Sequence, residues 1–176
     1  MKAQSIFAIS LVLFACVSRV LPHLANFSPL ICVALFAGRY FDKRTAVLGL
    51  IFTLLISDIL LGVVYHYPIF GTWTLFTYTG FLAILALGIR IPSLEQRFIL
   101  SFVTLLGSSF GFWVWTNLSS WLTMYPKDLA GFIACYVAGI PFLQNSVIGT
   151  MAWFLAMWFV MRIGDIAWNG RKVILG

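Results

Sequence analysis

One acidic side chain lies within an otherwise apolar segment of the sequence, and its chemistry needs an explanation. Asp58 lies in the segment 45–64, about six residues before the segment ends. A carboxylate in apolar surroundings is unstable unless a partner or water compensates its charge. The sequence therefore predicts one of two roles for Asp58. It either contacts a ligand or cation, or makes a structural hydrogen bond to a neighbouring helix.

The remaining residues do not form a recognisable catalytic or metal-binding pattern. The sequence has no Walker A motif, no metal-ligand spacing and no serine nucleophile elbow. Cys16, Cys32 and Cys135 each lie in an apolar stretch and are interpreted as small buried residues. We therefore predict a protein that is not an enzyme, has no metal site and cannot hydrolyse ATP alone.

The composition indicates a membrane protein. Of the 176 residues, 62% are apolar and only 9% are charged. A soluble domain carries about 25% charged residues, so the charged side chains of this sequence are too few to cover the surface of a soluble protein. The net charge of +6 is explained by basic loops beside a membrane, and nucleic-acid binding is excluded as an interpretation. We expect a single all-α transmembrane domain over 1–176, embedded in the lipid bilayer.

Six spans are predicted, separated by proline-containing or charged connections. The stretch 129–140 is too short to span and is predicted to be a re-entrant or surface helix ended by Pro141. Residues 164–176 are predicted to form a short polar, basic tail. The predicted spans are Ala3–Leu21, Ser28–Phe41, Thr45–Val64, Thr72–Ile89, Phe98–Leu122 and Phe142–Ile163.

The basic residues predict the orientation. With six spans, nine of the eleven lysines and arginines fall on the side that carries both termini, and Arg19 and Lys127 fall on the other. Basic residues collect on the cytoplasmic side, so both termini are predicted to be cytoplasmic. The nine residues are Lys2, Arg39, Lys43, Arg44, Arg90, Arg97, Arg162, Arg171 and Lys172.

Polar side chains converge near the predicted outer surface, at the depth of Asp58. A cleft at helix ends with a few polar groups and many aromatic side chains is typical of a small-ligand site. The aromatic residues alone are equally typical of the belt at a membrane interface. The candidate ligand contacts are Asp58, His23, Asn26, Tyr78, Asn117 and Asn145.

Two pairs of small residues are spaced four apart, Ala34 with Gly38 and Gly107 with Gly111. Such pairs allow helices to approach closely. They predict either internal packing or a surface for a partner membrane protein.

Several runs between residue 19 and about residue 150 resemble a group of small bacterial membrane proteins. That group is similar in turn to the substrate-binding S components of energy-coupling factor vitamin transporters. The runs are RVLPHLANFSP (19–29), ALFAGRYF (34–41), SDILLG (57–62), YP (125–126), CY (135–136) and PFxxN (141–145).

The resemblance implies a bundle of six helices in the bacterial inner membrane with an outward-facing vitamin pocket. It also implies a partner transmembrane subunit and two ATPases, with docking through small residues on the first helix, here Ala3, Ala8 and Ala15. We expect uptake of a small vitamin-like molecule, with cobalamin among the candidates. The cysteine that binds cobalt in the cobalamin branch is absent, because Thr77, Tyr78 and Thr79 occupy its expected position. The alternative is a non-transporting subunit or assembly factor of a larger membrane complex.

Overall fold

The chain folds into a bundle of helices with a short helix at its centre. The computed structural model describes residues 3–21, 26–91 and 98–175, with side chains for 10–21, 26–91 and 98–160. In these ranges the helices are α1 (Ala3–Val20), α2 (Leu30–Tyr40), α3 (Lys43–Tyr65), α4 (Thr72–Arg90), α5 (Phe98–Met124), α6 (Leu129–Ala138) and α7 (Ile140–Leu175).

Local capping interactions set the beginnings of three helices. The carboxylate of Asp42 accepts a hydrogen bond from the Thr45 amide at the start of α3 (3.1 Å). The Asp128 carboxylate accepts one from the Gly131 amide in α6 (2.7 Å). At α4, the Thr74 hydroxyl accepts from the amide of Gly71 (3.0 Å). These contacts satisfy backbone N–H groups that have no partner inside the helix.

Helix α2 forms the core of the bundle. It has 11 residues, and every side chain from Leu30 to Gly38 is buried. Eleven residues rise only about 16 Å, which is short of a hydrocarbon core of about 30 Å. Its neighbours on all sides are α1, α3, α4, α5 and α7. The short helix is therefore shielded by its neighbours from Leu30 to Gly38.

The α2 and α4 backbones touch through two reciprocal glycines. A Cβ atom on Gly38 would overlap the carbonyl oxygen of Leu85 in α4. A Cβ atom on Gly88 would overlap the carbonyl oxygen of Leu35 in α2. The pattern at Ala34 and Gly38 thus serves internal packing, as small residues do between membrane helices.

The second small-residue pair has a different environment. A Cβ atom on Gly107 or on Gly111 would meet nothing within 4 Å, and both positions on α5 are exposed. In the described part of the chain, the space beside these two glycines is therefore open.

The distribution of polarity is that of a membrane protein. Small hydroxyl side chains such as Ser57, Ser109 and Thr150 are fully buried, whereas large apolar residues such as Ile99 (77% exposed) face outward. Extensive exposed apolar surface is unusual in soluble monomers. In the described part of the chain, four helical stretches are long and apolar enough to cross a membrane: α3, α4, α5 and Leu129–Val160. The protein is an all-α membrane protein.

The end of the chain differs from the expected division. Helices α6 and α7 are separated by Gly139 alone, and Pro141 lies in the first turn of α7, where its missing N–H costs no intrahelical bond. The break therefore lies two residues before the predicted one. Helix α7 also continues to Leu175, so the backbone of the predicted tail is helical.

Candidate functional site

Three helices are joined by a polar cluster around Asp58. The Arg19 guanidinium, at the end of α1, donates through Nη1 to Asp58 Oδ1 on α3 at 2.8 Å. The Tyr78 hydroxyl on α4 donates to Asp58 Oδ2 at 3.0 Å. The side chains of Arg19 and Asp58 are 17% and 16% exposed. Both carboxylate oxygens are thus paired, which stabilises a charge in this environment.

Ser57 completes this cluster. Its hydroxyl accepts a hydrogen bond from Arg19 Nη1 and donates to the carbonyl oxygen of Thr53, one turn earlier in α3 (2.6 Å). Arg19 therefore has two neighbouring acceptors on one helix. The arrangement holds the end of α1 against α3.

A large cavity begins beside Arg19, at the end of the bundle opposite the Asp42 turn. Its volume is about 930 Å³, within the range of cavities that bind organic molecules. Among the described residues, its polar lining comprises Arg19, Asn26, Ser28, Tyr65, Tyr67, Thr77, Thr116, Asn117, Ser120, Tyr125 and Ser146. Its apolar lining there comprises Leu21, Leu30, Ile31, Leu61, Phe81, Phe112, Met124, Cys135, Ala138, Gly139 and Phe142.

Asn117 lies in the cavity wall within a tightly packed corner of α5, α6 and α7. Its amide nitrogen donates to the Trp113 carbonyl (2.9 Å), and the Trp113 indole donates to the carbonyl of Gly139 (2.8 Å). The Cys135 thiol donates to the backbone carbonyl of Asn117 (3.4 Å). A Cβ atom at position 139 would overlap Asn117 Oδ1, so a larger residue where α6 meets α7 would displace the Asn117 side chain.

The candidate residues from the sequence have different positions relative to the cavity. Asn26 and Asn117 line it. Asp58 and Tyr78 lie behind Arg19 and contact it or each other instead of lining the wall. Asn145 is half-buried on α7 and is not among the lining residues. His23 lies outside the described residues.

Two features of the site were not identified from the sequence. Arg19 was counted as a charge of the outer loop, because nothing local links it to Asp58. The α5 wall has a periodic signal that sequence reasoning could have used. Phe112, Thr116, Ser120 and Met124 recur every four residues and all line the cavity, as residues on one helix face do.

Comparison with known proteins identifies the family. The model of DUF6580, a family of unknown function, matches residues 1–166, and the chain belongs to that family. No curated protein and no solved structure matches the chain.

Proposed function

We propose that this DUF6580 member binds a small vitamin-like molecule in the cavity beside Arg19 as the first step of its uptake. The observation that carries the proposal is the cavity itself, about 930 Å³ in volume and lined by both aromatic and polar side chains. Such a site buries most of a ligand and orients it through a few polar contacts. The cavity lies at the end of the bundle that we expect to face outward in the bacterial inner membrane.

The proposal is supported by the contribution of several helices to the cavity wall. Wall residues come from α1 through Arg19, from α4 through Thr77, from α5 through Thr116 and from α7 through Ser146. A ligand there contacts elements that are far apart in sequence, and its binding can therefore alter how the helices pack. This is a useful property for a protein that passes its ligand to a partner. Cobalamin is one candidate ligand.

An uptake protein of this kind needs energy from elsewhere, and we propose a partner transmembrane subunit with ATPases as its source. Docking through Ala15 is disfavoured, because Ala15 is fully buried within the bundle. The side chains of Ala3 and Ala8 lie outside the described residues.

The alternative, a non-transporting subunit or assembly factor, is favoured by one separate observation. The face of α5 around Gly107 and Gly111 is exposed and carries small residues that allow close helix contact. Under this alternative, a membrane protein partner co-purifies stoichiometrically and the cavity holds no specific ligand.

Untargeted mass spectrometry of the protein purified in mild detergent tests the proposal. We expect a small molecule to be retained by the wild-type protein and lost from Ser120→Trp, because Ser120 lines the cavity and the larger side chain should occupy part of it. Val103→Trp is the control, because Val103 lies on the same helix, is 57% exposed and does not line the cavity. Equal small-molecule content in the wild type and both variants would contradict the proposal.

A further inference from the structure

We infer that the cavity takes an uncharged, ring-containing ligand with hydrogen-bond acceptors, and that Asp58 determines this preference by neutralising Arg19. The inference rests on the proposed function, since it names the ligand class of the same cavity. It assigns Asp58 a role in specificity without direct contact with the ligand.

The charge distribution of the cavity wall disfavours a cationic ligand. Among the described lining residues, Arg19 is the one cation, and none is a carboxylate. The other polar groups are hydroxyls and the amides of Asn26 and Asn117. A cationic ligand would therefore lose part of its hydration without gaining an anionic partner, which is unfavourable.

The position of Asp58 disfavours an anionic ligand. It lies behind Arg19, 2.8 Å from Nη1, and Tyr78 holds its other oxygen. The positive charge of Arg19 is thus compensated before any ligand enters. An anionic ligand would be desolvated beside a pair with no net charge, and this desolvation is poorly repaid. A neutral acceptor avoids that penalty, because it requires only an N–H group from the guanidinium.

The aromatic parts of the cavity wall favour a planar ligand. The rings of Tyr65 and Tyr67 stack with centroids 6.0 Å apart, and those of Phe81 and Phe112 lie 4.4 Å apart. All four residues line the cavity. Flat aromatic surfaces on two parts of the wall favour a planar ligand, because stacking adds to the area buried.

Binding of two probes that differ only in charge tests the inference. A quinoline carboxamide and the matching quinoline carboxylate are titrated by calorimetry into the full chain in lipid nanodiscs, with empty nanodiscs as blanks. The wild-type protein should prefer the carboxamide. Asp58→Asn exposes an unpaired guanidinium and should shift the affinity ratio toward the carboxylate by at least about tenfold.

Matched variants keep the experiment decisive. Arg19→Gln leaves the Asp58 carboxylate without a cationic partner and should move the ratio the opposite way. The double variant Arg19→Gln/Asp58→Asn buries no unpaired charge, should fold, and should return to the wild-type ratio. Asp128→Asn is the control, because Asp128 is an acid that caps α6 and does not line the cavity.

The inference and the proposed function fail in different ways. A wild-type preference for the carboxylate overturns the inference alone, as does a double variant that prefers it. Equal carboxamide-to-carboxylate affinity ratios for Asp58→Asn and Asp128→Asn would also overturn the inference alone. In each case the cavity still binds a ligand. Binding of neither probe by the wild-type protein also overturns the inference, whereas the proposed function is contradicted only when no small molecule is retained specifically in the mass-spectrometric comparison.

Discussion

The guanidinium Nη1 of Arg19 lies 2.8 Å from Asp58 Oδ1 and thereby joins α1 to α3 across 39 positions of sequence. Of the two roles open to Asp58, the structure shows the contact with neighbouring helices. The pair also lies at the edge of the cavity, since Arg19 lines it and Asp58 does not. Under the proposed function, this pair therefore links the stability of the bundle to ligand recognition.

Removing one member of this pair should destabilise the bundle more than removing both. Arg19→Met or Asp58→Leu leaves one charge without its partner at a site less than one-fifth exposed. Each should lower the free energy of unfolding by about 3 kcal/mol, whereas the double variant should recover most of this loss. Denaturant unfolding in detergent, followed by tryptophan fluorescence, measures the cycle. Additive losses in the double variant would show that the two charges do not interact.

The glycines between α2 and α4 should be intolerant of a single methyl group. Gly38→Ala and Gly88→Ala place a Cβ atom on carbonyl oxygens of the facing helix and should each cost about 2 kcal/mol or more, because the backbones must separate. Gly107→Ala is the matched control, since a Cβ atom there meets nothing within 4 Å. Melting temperatures in detergent measure the difference. A control that melts as low as Gly38→Ala would argue against this packing.

Gly139→Ala should disturb the cavity without unfolding the bundle. The added methyl group displaces Asn117 Oδ1 and presses on the Trp113 indole, whose hydrogen bond to the Gly139 carbonyl should weaken. We expect reduced retention of the co-purified molecule together with altered tryptophan fluorescence. Gly111→Ala, on the open face of α5, should retain the molecule fully. Normal retention by Gly139→Ala would show that this corner does not shape the ligand site.

The cap at Asp42 should add to the acid sensitivity of the fold. Hydrogen bonds from Thr45 hold the pKa of this exposed carboxyl below its ordinary value, with the larger effect from the side chain and the smaller from the amide. A depressed pKa stabilises the folded state above the unfolded-state pKa, and this contribution is lost as the pH falls through the folded-state pKa.

Melting temperatures of the wild type and Asp42→Asn between about pH 7 and about pH 3 measure this contribution. Asparagine can also cap a helix but does not titrate. The wild type should therefore lose more stability on acidification than the variant does. Parallel pH profiles would show that Asp42 does not contribute.

The bounds of α3, α4 and α5 were predictable because their signals are local. The sequence predicted 45–64, 72–89 and 98–122, and the structure has Lys43–Tyr65, Thr72–Arg90 and Phe98–Met124. Asp42 begins one of these helices through contacts within four residues. The break before α7 lies at Gly139 and not at Pro141, because a proline is accommodated in the first turn of the following helix.

The site was predicted in part for the same reason. The depth of a residue in the membrane follows from counting residues along its helix. This count placed Asp58 and Tyr78 at the same depth, and the two side chains do form a hydrogen bond. Rotation about the helix axis does not follow from counting. Asn117 therefore faces the cavity, whereas Asn145 at a similar depth is not part of its wall.

By itself the sequence determined that the chain is helical, that it belongs in a membrane and, to within two residues, where α3, α4 and α5 begin and end. Composition, capping and hydropathy act over a few residues and need no knowledge of the partners. Only the tertiary structure decided that α2 is the buried centre, that Arg19 neutralises Asp58 and that a cavity lies beside them. These features arise from contacts between residues distant in the chain, which depend on how each helix is rotated and packed against its neighbours.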